Sequence, residues 1–553
     1  MINNNRIKRN ILCVSLITAS LFFSTGCEEY LDVNTNPNAP DQVVAPHLYL
    51  PAMQSELALG IQFDSRYLGK YVQNWVSRDV DITWDLHGYA AGSDAAGQLW
   101  RAAYYSFGAN LTDMITKAEE EKKYDFVGVG YIMRALGWQI ITDYHGEAVV
   151  SEAFNFQESY KYDTQEFIYG EVKRLTELGI SYLERTDGVG PEVSLLSRGD
   201  LIYDGDRAKW IKFAYGLLAI NAHHLSNKSS YNPAQVIEYV NKSLASNADD
   251  ASVRFQGSVS DDTNFFGPRR GNLNTFRQSY FIVGLLDGTN STFRDPDLTD
   301  PVFTGEHLKD PRLPVMLSPS PDGEYRGVFP SIGMNNQYSV ASERPKNLWN
   351  TETDVVAATA PGKYLFGNDT RFPIMTYAQL QFIKAEAAYL NNDKALALDA
   401  YTKGVNAHLD FVKTFTTDAT FNQRREAYTA SPALIPATPA DLTLSKIMLQ
   451  KYIAQWGWGF IETWSDLRRY HYTENEQHQG GNALGVADEN AADNVFRGFM
   501  LPTTLYSVNQ GMPAYRVRPR FNSEYMWNRA ALDPIGGLKD EYHTMEMWFS
   551  KKE

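Results

Sequence analysis

The sequence predicts a mostly α-helical fold, a scaffold of tetratricopeptide-like helical hairpins interrupted by a long loop-rich insert at about 248–372. Three observations predict it. Apolar residues recur every three or four positions over long stretches. Pairs of such stretches are joined by short polar turns. The periodicity lapses where Gly, Pro, Asn and Asp become frequent.

Residues 1–26 read as a lipoprotein signal peptide. Arg6, Lys8 and Arg9 precede an apolar run from Ile11 to Phe23, too short to span a bilayer as a helix. Ser24, Thr25 and Gly26 follow, and then Cys27, which reads as the thiol that is acylated to begin the mature chain. Ser24 departs from the medium-sized aliphatic residue usual three positions before such a cysteine. Cys13, the other of two cysteines, leaves with the leader, so a disulfide at Cys27 lacks a partner; an exposed catalytic thiol is the remaining alternative. The rest of the 553 residues suffice for one large domain or a few intimately packed lobes.

Val127, Tyr131, Ala135, Trp138 and Ile141 share one helical face. Trp210, Phe213, Leu217, Ile220 and His224 mark a second helix, and Leu380, Ile383, Ala387 and Leu390 a third. After the turn NND, Leu398, Tyr401, Val405, Leu409 and Val412 continue in a fourth. A helical hairpin cannot bury both faces alone, so hairpins should stack. ALGWQIITDY and AEAAYLNNDKALALDAY fit that class, with Ala and Gly where helices approach closely.

The insert, with NFFGPRRGN, DPDLTDP, DPRLPVMLSPSPDG and SIGMNNQYSV, reads as mostly surface loop. A second loop runs from Arg78 to Asp94. A third, His478 to Asn494, has no aromatic ring and reads as a flexible surface loop.

The formal charge of −15, more negative still without the leader, disfavours a nucleic-acid partner. Aromatic residues make up 13% of the chain, including 33 Tyr and 11 Trp. Such rings stack on sugars, though large helical cores use them too.

Four stretches in order carry a family resemblance: YLDVNTNPNAP (Tyr30–Pro40), GYIMRALGWQIITDYHGEAVVSEAF (Gly130–Phe154), RFPIMTYAQLQFIKAEAAYL (Arg371–Leu390) and IMLQKYIAQWGWGFIETWSDLRRYHY (Ile447–Tyr472). With them the chain resembles the SusD/RagB-like family of Bacteroidetes outer-membrane nutrient-binding lipoproteins, in its SusD-like group 2 branch. The resemblance makes 27–553 one nutrient-binding domain. It implies a surface-exposed lipoprotein, lipid-anchored in the outer membrane, that caps a SusC-like TonB-dependent transporter and delivers glycans or, in some members, peptides. Glu28, Glu29 and Asp32 then resemble a surface-export signal, with an ordinary solvated linker as the alternative.

A sugar site combines aromatic platforms with hydrogen-bonding side chains. In the second loop the candidates are Trp84, Asp85, His87 and Tyr89, with Trp84 foremost because a Trp in a polar loop has little helical core to fill. The insert adds Phe265, Phe266 and Arg269 beside Arg270, then Tyr338 and Trp349; Arg371 could also reach a ligand. For each, packing of a loop side chain on the frame is the alternative.

The rival reading is a surface glycoside hydrolase, which needs two placed carboxylates. Among 66 acidic residues no pair stands out, and no nucleophile motif, phosphate loop or zinc spacing appears, so no catalytic residue, metal site or cofactor is expected. A structural calcium stays open, since oxygen ligands leave no firm pattern. His223 and His224 diverge on a helix, with His224 a core histidine. In ETWSDLRR, Ile461, Trp464 and Leu467 form the buried stripe and Glu462, Asp466, Arg468 and Arg469 serve ion pairs. A pure protein-binding scaffold is the third class.

Overall fold

The computed structural model describes residues 44–155, 157–293, 309–472 and 495–553. Cys27 and the acidic stretch after it, DPDLTDP and the His478–Asn494 loop lie outside the described residues.

The helices of eight residues or more are α1 (Pro46–Tyr71), α2 (Gly108–Glu120), α3 (Tyr124–His145), α4 (Gln165–Leu183), α5 (Arg207–His224), α6 (Pro233–Lys242), α7 (Tyr280–Asp287), α8 (Tyr377–Leu390), α9 (Lys394–Lys413), α10 (Phe421–Thr429), α11 (Leu444–Gln455) and α12 (Phe460–Arg469). Their starts follow capping chemistry. Thr164, Asp206, Thr376, Asp393 and Thr443 each accept a hydrogen bond from a backbone N–H of the first turn.

Sequence neighbours pair as hairpins, α3 with α4, α5 with α6 and α8 with α9, and the hairpins stack through α4 on α5 and α6 on α8. The four apolar stripes face this stack, except that Leu390, at the end of α8, is exposed. Gly128 and Gly179 explain how closely α3 and α4 approach. A Cβ on Gly128 would lie 2.8 Å from the Gly179 carbonyl oxygen, and one on Gly179 would lie 2.9 Å from that of Gly128.

Two short antiparallel pairs organise the rest. β2 (Ala251–Val253) pairs with β4 (Phe372–Met375), Ala251 opposite Met375, across the neck of the insert. β1 (Trp75–Ser77) pairs with β3 (Phe276–Gln278), Trp75 opposite Gln278. The insert departs from the expected surface loop. Phe266, Phe276, Leu313, Met316, Trp349 and Phe366 are buried in the same hydrophobic core as the helices, because irregular backbone here is hydrogen-bonded by buried Asn and Gln side chains. Asn264, for example, donates to the carbonyls of Leu365 and Gly367.

α12 is buried along its whole length, with Ile461 the partly exposed member, so its charged side chains are satisfied internally. Arg469 meets Glu386 at 2.8 Å and Asp466 at 2.6 Å. Lys451 lies 2.9 Å from both Glu462 and Asp466. His223 and His224 diverge as expected, to Glu386 and to Glu462, each at 2.8 Å. Burial opposes protonation of His224, but Asp143 and Glu462 outweigh it and raise its pKa to about 9.

Candidate functional site

The loop after β1 is held rigidly. Asp81 accepts from the backbone N–H groups of Thr83 (2.8 Å) and Trp84 (3.0 Å), while Lys70 of α1 pairs with Asp81 at 2.5 Å. At the far end, the buried Asp64 of α1 takes the N–H groups of Gln98 (3.0 Å) and Leu99 (2.9 Å). These bonds fix a short 3-10 turn at Trp84–Leu86.

Asp85 and His87 face inward. The Asp85 carboxylate accepts from the N–H of Ser331 (3.2 Å) and of Ser77, bracing loop against insert; burial raises its pKa to about 6 against the pull of Lys70. His87, with left-handed backbone, stacks on Tyr71 at 4.9 Å and accepts from the N–H of Ala514. Burial, with His543 nearby, lowers its pKa to about 3, so it is neutral. Both are buried, and their polar atoms brace the loop internally.

Trp84 does have core to fill. It is 9% exposed, with its ring 4.9 Å from Tyr67 and 5.9 Å from Tyr71. What remains of its surface lines a cavity of about 260 Å³. Tyr89, Asp94 and the chain between them form one wall, and Arg518, Arg520, Phe521 and Tyr525 the other. The Arg518 guanidinium lies 4.4 Å from the Tyr89 ring centre. Phe521 and Tyr525 stack at 5.7 Å. Asp94 pairs with Arg520 at 2.7 Å and accepts from Asn522 at 2.6 Å, which ties the two walls together.

From Trp84 an aromatic ladder continues along α1 to the insert. Tyr67 is 6.2 Å from Phe63, and Phe63 is 5.8 Å from Phe265. Arg66 lies over Phe63 at 4.0 Å and over Phe265 at 5.1 Å, and Arg270 over Phe265 at 5.9 Å. The structure thus brings Trp84 and Tyr89 into line with Phe265 and its arginines, through side chains of α1.

The remaining candidates do not join this line. Phe266 is fully buried against Trp75, Phe366 and Phe372, and Trp349 donates its indole N–H to the Phe266 carbonyl at 2.8 Å. Their apolar area goes to the core. Tyr338 donates to the Gly327 carbonyl and packs on Val76, Val328 and Met334. Arg269 is half-buried, its backbone N–H bonded to Asn368. Arg371 donates to Ser252 in a separate groove lined by Tyr203, Asp250 and Phe415.

Sequence reasoning missed Phe63, Arg66 and Tyr67, which read as an ordinary helical face, and the whole C-terminal wall. A signal for that wall exists: in YRVRPRF, Arg516, Arg518 and Arg520 recur at every second position, which sets side chains on one side of a non-helical segment.

Residues 37–490 match the family model SusD-like_2, described as starch-binding associating with outer membrane. No curated protein matches the sequence. Among solved structures, a SusD/RagB family protein from Bacteroides thetaiotaomicron is similar at 21% identity and a TM-score of 0.65, covering 92% of this chain and 100% of its own. A SusD homolog from Parabacteroides distasonis is similar at 16% identity and TM-score 0.66, with 92% and 98% covered. A chitin-binding SusD homolog from Flavobacterium johnsoniae is similar at 17% identity and TM-score 0.59, with the same coverage.

Proposed function

The chain belongs to the SusD-like family described as starch-binding and associating with the outer membrane, and from that premise we propose that it is a cell-surface glycan-binding protein. It delivers poly- or oligosaccharides to a SusC-like TonB-dependent transporter and acts as that transporter's lid, held at the membrane through a lipid on Cys27. Among the described residues no helix is long and apolar enough to cross a membrane, and a lipid anchor is compatible with that.

The observation that carries the reading is the unbroken line from the Tyr89–Arg518 pocket through Trp84, Tyr67 and Phe63 to Phe265. The partly exposed rings of Tyr89, Tyr67 and Phe63 supply apolar contact for sugar rings, backed by Trp84 and Phe265, each 9% exposed, and the guanidinium groups beside them supply hydrogen bonds to hydroxyls. The reading is binding rather than catalysis. Of the two carboxylates that line the pocket, Asp94 and Asp540, Asp94 is engaged by Arg520 and Asn522, which leaves it poorly placed for the paired work of two carboxylates in glycoside hydrolysis.

Affinity electrophoresis and calorimetry of the purified protein against a broad set of polysaccharides and peptides test it. Binding without shortening of the glycan is expected. Binding of peptides alone, or turnover of the glycan, would overturn it.

A further inference from the structure

We infer that the site selects glycans bearing carboxylates, such as chains of uronic acids. This rests on the glycan-binding reading above and names the class of glycan.

The chain carries a formal charge of −15, yet the site is lined by arginines. Arg518, Arg520 and Arg529 line the pocket, and Arg66 and Arg270 accompany the ladder. Of these, Arg520 is neutralised by Asp94. Arg518 instead spends its donors on uncharged groups, the Tyr525 hydroxyl and the carbonyls of Gly537, Lys539 and Asp540. Its Nε is buried with no hydrogen-bond partner, as is that of Arg270. Arg66 donates to the Phe63 carbonyl at 3.3 Å; Asp64, next to it, is pushed by burial to a pKa of about 7 and offers a weakened counter-charge.

With Asp94 spent on Arg520, Asp540 is the other carboxylate lining the pocket and is outnumbered by Arg518 and Arg529; excess guanidinium charge costs self-repulsion and desolvation, so the arrangement suits a ligand that brings its own anions. A planar carboxylate matches the guanidinium fork, and the aromatic faces between the arginines fit the sugar rings between successive carboxylates. A neutral glycan would leave the excess positive charge uncompensated.

The test is calorimetry of the intact protein with an oligogalacturonate and with its methyl ester of equal length, a pair that shares its sugar backbone and differs in the charge and one methyl at each carboxyl. The acid form should bind about tenfold more tightly or better, and the preference should shrink as salt is raised. Arg529→Gln and Arg270→Gln should each bring the acid form's affinity toward that of the ester, with folding checked by circular dichroism. Equal binding of acid and ester, or preference for a neutral chito- or gluco-oligosaccharide, overturns the inference while leaving glycan binding in place. A sulfated glycan binding as tightly as the uronate overturns the carboxylate assignment. If no glycan binds, or peptides alone bind, the underlying reading falls with it.

Discussion

Trp84 and Tyr89 stand five residues apart on one loop and do different work. Trp84 is wedged against α1 with little surface left to the pocket, whereas Tyr89 is only partly buried and has a guanidinium over its face. Tyr89→Ala is therefore expected to weaken glycan binding by ~1–2 kcal/mol with little change in melting temperature. Trp84→Ala should lower stability as well, by ~3–5 kcal/mol in denaturant unfolding. His224 carries a pH prediction. Its folded pKa of about 9 lies above the unfolded value of about 6.5. The stability it contributes is thus complete below pH 6.5 and is lost as pH rises through 9, a difference of roughly 3 kcal/mol. Urea unfolding across that range measures it, and His224→Gln should remove this component of the slope.

Among the elements, α3 and α4 depend on bare backbone at their crossing. Gly128→Ala would place a methyl 2.6 Å from the Leu183 side chain and 2.8 Å from the Gly179 carbonyl. It should cost ~1–3 kcal/mol by forcing the helices apart, read as a lower thermal midpoint with helical content retained. Helices were legible because their stripes repeat at 3.6 residues and their caps are local. β1, β3 and α7 were not: three-residue strands have no period to detect, and the apolar run of α7 is too short to separate helix from buried strand. The pairing of β1 with β3 nevertheless decides the site, since it sets the Trp84 loop beside the insert.

For the molecule as a whole, one buried charge network joins α3, α5, α8, α11 and α12 through Asp143, His224, Glu386, Lys451, Glu462, Asp466 and Arg469. Such networks stabilise little in total but penalise any disposition that strands a charge. Lys451→Met would leave Glu462 and Asp466 with fewer cations in a dry interior. A loss of ~3–5 kcal/mol is expected, together with a broadened, less cooperative transition by calorimetry. The sequence showed these as a charged face of ETWSDLRR suited to ion pairs. Its position in the centre of the molecule was not visible, because local periodicity does not tell which neighbours cover a polar face.

What the sequence by itself determined is whatever local chemistry dictates: the helical frame, the hairpin turns, the hydrogen-bonding turn residues of the insert, the divergence of His223 and His224, and family membership through motifs in order. Only the tertiary structure decided which aromatic rings line the pocket. Asp85, His87, Phe266 and Trp349 went inward and Tyr89 outward, although all sit in loops of similar composition. The site also needed Arg518 and Tyr525, hundreds of residues further along the chain, and Phe63, Arg66 and Tyr67 from the preceding helix α1. Burial is set by what packs against a side chain, and for these loops the packing partners come from distant segments.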